Sequence, residues 1–165
     1  MSGIIKIISG GQTGVDRSAL MAAQDLGFAT GGWCPPGKSS EDGIIPDQFP
    51  LQETPDDRSQ DAPDIPRSQR TEWNVRDSDA TLIIVPEKNL TNDPGTKWTL
   101  KCAIKYNKPF IICNSEKENA SWILKWIKSS SIKVLNIAGP SENSVKGITE
   151  EAYLLIHSVL SNLLK

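Results

Sequence analysis

An apolar run of mostly β-branched residues, Ile4-Ile5-Lys6-Ile7-Ile8, leads directly into Ser9-Gly10-Gly11-Gln12-Thr13-Gly14-Val15-Asp16, after which a helical pattern begins. Those residue types at that junction suit anion binding. The run reads as a buried strand, and the paired glycines allow a tight turn and close backbone approach. The free N–H groups opening the next helix carry partial positive charge. Thr13 is expected to cap that helix, with Asp16 three residues on as the capping-box acid. Arg17, on the same first turn, either aims its guanidinium at a bound group or faces water.

A second helix start, Asp93-Pro94-Gly95-Thr96, follows the strand pattern ending Ile83-Ile84-Val85. If the strands ending at Ile8 and Val85 are neighbours, two helix N-termini converge on one crevice outside the carboxyl ends of the sheet, where ligands of open α/β sheets sit. Arg70 and Asn74, spaced i and i+4, share a helical face that can look into it. Trp33 and Cys34 follow the second strand and are expected at the same rim, where an indole can stack on a flat heterocycle. The competing reading makes Trp33 a seal over the core and Cys34 a packing residue. A β-branched residue at Gly11 is expected to block ligand approach and leave the fold mostly intact.

Gly32-Trp33-Cys34-Pro35-Pro36-Gly37-Lys38-Ser39 spells the P-loop pattern, but two prolines remove backbone donors and no helix follows. Lys38 stays available as a point charge toward an anion. The Gly10-Gly11 loop is not a dinucleotide fingerprint, because Ser9 stands in place of the first glycine. Neither a nucleophile-base pair nor a metal-ligand cluster is legible; His157 is the only histidine.

Five short strand-like runs position these groups: Gly3 to Ile8, Gly27 to Gly32, Ala80 to Val85, Pro109 to Cys113 and Ile132 to Ala138. They alternate with helical patterns, which implies parallel pairing and right-handed crossovers. The expected architecture is one three-layer α/β/α domain over residues 1–165 with a mostly parallel sheet. Between Cys34 and Pro66, including the long Pro-rich loop at about 34–65, lie seven of the eleven prolines. Its first half has apolar anchors and is expected to pack, whereas Pro55 to Pro63 has almost none and is expected to be mobile.

The net charge of −2 and the lack of a basic cluster argue against nucleic-acid binding. No run approaches the roughly 18 apolar residues of a membrane span. With no basic leader ahead of an apolar run and three widely spaced cysteines, the expectation is a soluble, cytoplasmic protein with reduced thiols. Apolar positions from Trp98 to Tyr106 point to a homo-oligomer.

Taken as an ordered set, Gly10-Gly11-Gln12-Thr13-Gly14-Val15-Asp16-Arg17, Gly31-Gly32-Trp33-Cys34-Pro35, Glu41-Asp42-Gly43, Asn74-Val75, Ser78 to Ile83 and Pro94-Gly95-Thr96 resemble the molybdenum carrier family. That family is a branch of the Rossmann-like superfamily that includes the lysine-decarboxylase-like phosphoribohydrolases. The resemblance implies a Rossmann-like fold binding molybdenum cofactor, a phosphorylated molybdopterin. It implies a small phosphorylated ligand held by the blocks above, Glu41 and Asp42 included, with molybdoenzymes as cofactor donors or acceptors. The phosphoribohydrolases carry a catalytic glutamate after the glycine-rich block. Here Thr96 is followed by Lys97, Trp98, Thr99 and Leu100. The expected function is therefore non-catalytic binding. The alternatives are a nucleoside monophosphate N-glycosidase, with Asp16 or Glu41 supplying the carboxylate, and a nucleotide-sensing module.

Overall fold

A computed structural model describes residues 3–86, 93–116 and 118–165. Five parallel strands form the central sheet: β1 (Lys6–Ile8), β2 (Ala29–Gly31), β3 (Ala80–Val85), β4 (Phe110–Asn114) and β5 (Val134–Ala138). The helices are α1 (Val15–Asp25), α2 (Ser68–Arg76), α3 (Pro94–Lys105), α4 (Asn119–Ser129) and α5 (Ile148–Leu163). Side chains alternate across the pleat, so Ile7, Leu82, Ile84, Leu135 and Ile137 point together into one core with the inward stripes of α1, α4 and α5. On the other face α2 and α3 pair around Val75, Trp98, Cys102 and Ala103. The result is the expected three-layer Rossmann-like domain. No helix among the described residues is long and apolar enough to cross a membrane.

The strand order is β2-β1-β5-β3-β4. The strands ending at Ile8 and Val85 are therefore not neighbours, so that condition is not met; β5 lies between them, pairing Lys6 to Ile8 with Val134 to Asn136 and Ala80 to Ile83 with Leu135 to Ala138. Leu135, Asn136 and Ile137 are buried on both faces, as suits a central strand, and the Asn136 amide donates to the Thr81 hydroxyl at 3.2 Å. Nothing in local hydropathy dictates this insertion. If the strands are counted from β5 as first, the order becomes 3-2-1-4-5, the classic doubly wound arrangement, with its switch point between β5 and β3.

The segment from Pro55 to Pro63, expected to be mobile, is instead tied down by polar contacts. The Ser59 amide donates to the Ser68 hydroxyl at 2.8 Å, the Ser59 hydroxyl donates to Glu72 at 2.5 Å, and Ala62 is buried. Apolar content was the wrong gauge here, because Glu72 is a hub that also accepts from Lys105 Nζ at 2.8 Å and Tyr106 Oη at 2.5 Å. Burial alone would push the Glu72 carboxyl up, but Lys105, Ser59 and Tyr106 outweigh it and hold it below the usual range.

Candidate functional site

Helix α1 opens at Val15 with Gly14 as N-cap (φ 82°) and no side-chain cap. The expected Thr13/Asp16 capping box is absent, because both side chains are drawn into longer-range contacts. The Thr13 hydroxyl donates to Glu41 and accepts the Glu142 amide at 3.1 Å, joining three loops. Asp16 is 1% exposed; one carboxylate oxygen accepts the Gln12 amide at 3.2 Å and Arg70 Nη1 at 3.1 Å. Gly10 makes room for that pair, since a Cβ there would lie 2.5 Å from Arg70 Nη1.

Outside the carboxyl ends of β1, β5 and β3 lies a crevice of about 150 Å³. Gln12 and Glu41 line one side, Arg67 and Arg70 project from the start of α2, and Asp93 and Gly95 belong to the start of α3. Gly139, Pro140, Ser141 and Ser144 complete it from the loop after β5. Asp93 caps α3 by accepting the Thr96 amide at 3.1 Å. Arg67 sits in the left-handed region (φ 58°) as the N-cap of α2, an uncommon conformation for a side-chain-bearing residue. Its amide is held by Asp57 at 3.2 Å.

The charges in and behind this crevice are unevenly satisfied. Burial pushes the Asp16 carboxyl above its usual range despite Arg70 beside it, and burial draws the Arg70 guanidinium below its own. Asp16 Oδ1 and Arg70 Nε are buried with no hydrogen-bond partner. Orphaned polar atoms of that kind are rare in native proteins and mark stored strain or an unmet ligand. At Glu41, burial is outweighed by the Thr13 hydroxyl and the Asn143 amide, which keep the carboxyl below its usual range.

When the strands are counted from β5, the loop after β5 and the start of α5 occupy the place where doubly wound folds hold phosphate. That place already holds an anion from the chain itself. Glu142 accepts the Gly147 amide at 2.6 Å and the Thr149 amide at 3.0 Å, and the Thr149 hydroxyl and these amides hold its carboxyl down to about 2. A ligand anion must therefore find its cations elsewhere, and Arg67 and Arg70 are the cations that line the crevice.

Of the residues singled out from sequence, Gln12, Glu41, Arg70 and Gly95 line the crevice. Thr96 is buried at the first turn of α3, and Thr13 and Asp16 act behind the wall as described. The others lie in a supporting layer or elsewhere. Arg17 donates Nε to the Gly11 carbonyl at 3.0 Å and grips Asp42 with two nitrogens at 2.5 and 2.8 Å, fixing the turn at Ser40 to Gly43. Lys38 pairs with exposed Asp47 at 3.3 Å. Cys34 is wholly buried among Leu20, Ile45, Phe49 and Leu51, so its thiol packs and does not reach the rim. Asn74 reads the Trp33 backbone, accepting its N–H at 2.8 Å and donating to its carbonyl at 3.0 Å. The Trp33 indole donates to Asp77 at 2.8 Å and lines a different pocket. At Gly11 (φ 79°) a Cβ would meet Leu51 Cδ1 at 2.5 Å, so substitution there disturbs packing and does not isolate ligand approach.

Arg67 and the Gly139-Pro140-Ser141 turn escaped the sequence reading. The signal was present: Gly-Pro-Ser directly follows a strand pattern, as Gly10-Gly11 does after Ile8.

A family model described as the circularly permutated YpsA SLOG family matches residues 7–160. The chain belongs to the circularly permuted YpsA SLOG family. The family's permutation agrees with a sheet in which the last strand takes the classic first position. A crystal structure from Syntrophus aciditrophicus, described as "Putative molybdenum carrier protein", is similar to this YpsA SLOG chain with a TM-score of 0.85 and 37% identity, covering 96% of each chain. The family resemblance read from the motifs is thereby supported along nearly the whole length. No curated protein matches the chain.

Because Asp42 is held down to about 2, first by Arg17 and then by Ser40, its ionised form stabilises the fold fully above its unfolded value of 3.8. That contribution is lost as pH falls from 3.8 to about 2. Asp42 is half exposed, so the contribution is discounted to about 1 kcal/mol. An Asp42→Asn variant is expected to be less stable than wild type at neutral pH by that amount. The gap should close in acid, as read by urea unfolding at a series of pH values.

Proposed function

We propose that this protein binds and carries a small phosphorylated heterocycle without transforming it, with molybdenum cofactor as the leading ligand. The observation that carries the reading is the α2 wall of the crevice, where Arg67 and Arg70 face the start of α3. Two guanidiniums one turn apart suit bidentate recognition of a phosphate. At about 150 Å³ the crevice is below the usual 300–1,000 Å³ of sites that swallow a whole ligand, so it fits the phosphate end with the ring system extending outward. The three cysteines, all buried, do not line it, so a metal would be held by the cofactor's own dithiolene. The description of the Syntrophus aciditrophicus protein as a molybdenum carrier supports a molybdenum-related cargo.

Cofactor released from a molybdoenzyme and passed with the protein through a desalting column is expected to co-elute. An Arg67→Ala variant should bind it about tenfold or more weakly, with an unchanged melting temperature. Loss of co-elution with the wild-type chain would overturn the cofactor assignment. Equal binding by Arg67→Ala would remove the α2 wall from the site.

A second reading rests on Glu41, a carboxylate kept ionised inside the crevice, where it would stabilise the positive charge that develops on the ribose as an N-glycosidic bond of a nucleoside monophosphate breaks. Free base appearing on chromatography after incubation with a panel of nucleoside monophosphates would favour that enzyme over the carrier. Binding of the monophosphates without turnover would favour a sensing module. Partners under the leading reading are molybdoenzymes that give up or accept the cofactor. Ile104, 71% exposed on α3, supports a homo-oligomeric assembly through that helix.

A further inference from the structure

Lys6 is the one charged residue in an otherwise apolar first strand, and the crevice leaves it unused. It points to the sheet face opposite Ile7, together with Ile8 and, across the register, Val134. Helices α2 and α3 cover the β3–β4 side of that face. Toward β1 and β2 there remains a pocket of about 330 Å³. Ile8, Val134 and Pro50 supply its apolar surface, the Trp33 ring forms a wall, and Gln52 lies at the side. Its lining residues are all different from those of the crevice.

The Lys6 side chain lies across Gly31, where a Cβ would come 2.7 Å from Cε and 2.9 Å from Nζ. Any larger residue at position 31 would displace the ammonium. No carboxylate among the described residues is within ion-pair distance of Nζ. Asp77 lines the same pocket, but its two oxygens are taken by Arg76 at 2.8 and 3.0 Å and by the Trp33 indole at 2.8 Å. The indole is itself fixed, edge-on to Trp73 at 4.8 Å between centroids. The pocket thus offers a preset aromatic wall, an apolar floor and a single uncompensated cation.

We propose that this pocket is a second ligand site, for a small carboxylic acid with a flat apolar body. The carboxylate pairs with Lys6, and the body lies between Trp33 and the Ile8–Val134 floor. One ammonium balances one carboxylate. A doubly charged phosphate would lack a second cation and would meet the Asp77 carboxylate that lines the same pocket. The volume lies inside the range of small-molecule sites.

The test titrates benzoate and 3-phenylpropionate into the full chain, with 2-phenylethanol and 2-phenylethylammonium as charge controls, followed by amide NMR shifts. Saturable shifts are expected for the acids at Gly31, Gly32, Gln52 and the Trp33 indole N–H, at submillimolar to millimolar concentration. The Lys6→Met variant should bind the acids about tenfold or more weakly and bind the alcohol as wild type does. Lys6→Gln serves the same purpose should Lys6→Met fail to fold. Inorganic phosphate titrated into the crevice should shift the Gln12 and Gly95 amides equally in wild type and variant. Absence of saturable shifts with both acids would overturn the proposal. So would undiminished acid binding by the lysine variants, or ammonium binding as tight as acid binding.

Discussion

A Gly139→Ala protein is expected to be less stable than wild type by about 3 kcal/mol, the upper part of the usual range for forcing an extra methyl into a packed interior. Gly139 follows β5 where the ends of β3 and α1 press closest. A Cβ there would fall 2.3 Å from the Ile84 carbonyl oxygen and 2.6 Å from Val15 Cγ2. The nearer obstacle is backbone in a buried central strand, so relief requires parting β3 from β5 or lifting α1. For a domain of this size the loss corresponds to a melting temperature lower by roughly 6–12 °C. Gly3→Ala is the control, because a Cβ at Gly3 meets nothing within 4 Å. Equal melting temperatures for Gly139→Ala and Gly3→Ala would show that the two strand ends separate without cost. Because Gly139 also lines the crevice, a folded Gly139→Ala protein should bind the phosphorylated ligand less well.

Much of this architecture could be read from residue order. The inner strands β1, β3 and β5 appear where β-branched apolar runs stand between helical patterns, because each is short and continuous enough to be buried, whereas the edge strands β2 and β4 are only partly covered. What could not be read is where β5 inserts, since that depends on which neighbours Leu135, Asn136 and Ile137 find, not on their own types. The same limit explains the site. Local rules made Thr13 and Asp16 a capping box, but Glu41, Glu142 and Arg70, distant in sequence, compete for those side chains and win. Arg70 was legible from its position on the α2 face. Arg67 stands three residues before it on the same helical period, so its spacing pointed to that face as well; what spacing does not show is its left-handed backbone at the N-cap of α2. Cys34 illustrates the reverse case, since its neighbourhood in sequence is polar and Pro-rich while its neighbourhood in space is Leu20, Ile45, Phe49 and Leu51.

Arg70→Met is expected to cost about 3–5 kcal/mol, because it leaves the Asp16 carboxylate buried without its counter-charge. Asp16 is 1% exposed, with one oxygen already unpartnered. Adding Asp16→Asn to that variant removes the stranded charge and keeps an oxygen to accept the Gln12 amide. The double variant should therefore recover most of the loss, since a buried ion pair contributes little net stability while half of one is costly. The pH dependence distinguishes this cause from simple loss of packing. The folded value of Asp16 is already raised above its unfolded 3.8, and removing Arg70 raises it further. A raised carboxyl binds its proton more tightly folded than unfolded, so the penalty grows as pH rises above 3.8 and shrinks on acidification. Urea unfolding over a series of pH values should then show the gap between Arg70→Met and wild type narrowing on acidification and widening as pH rises, while the double variant shows no such trend. Ligand binding should follow a different order. Both variants lack the Arg70 guanidinium, so both should lose phosphate affinity, the double variant losing it while folded nearly as stably as wild type. A double variant that regained stability and bound the phosphorylated ligand at full strength would make Arg70 a purely structural partner of Asp16 and leave Arg67 as the cation of the site.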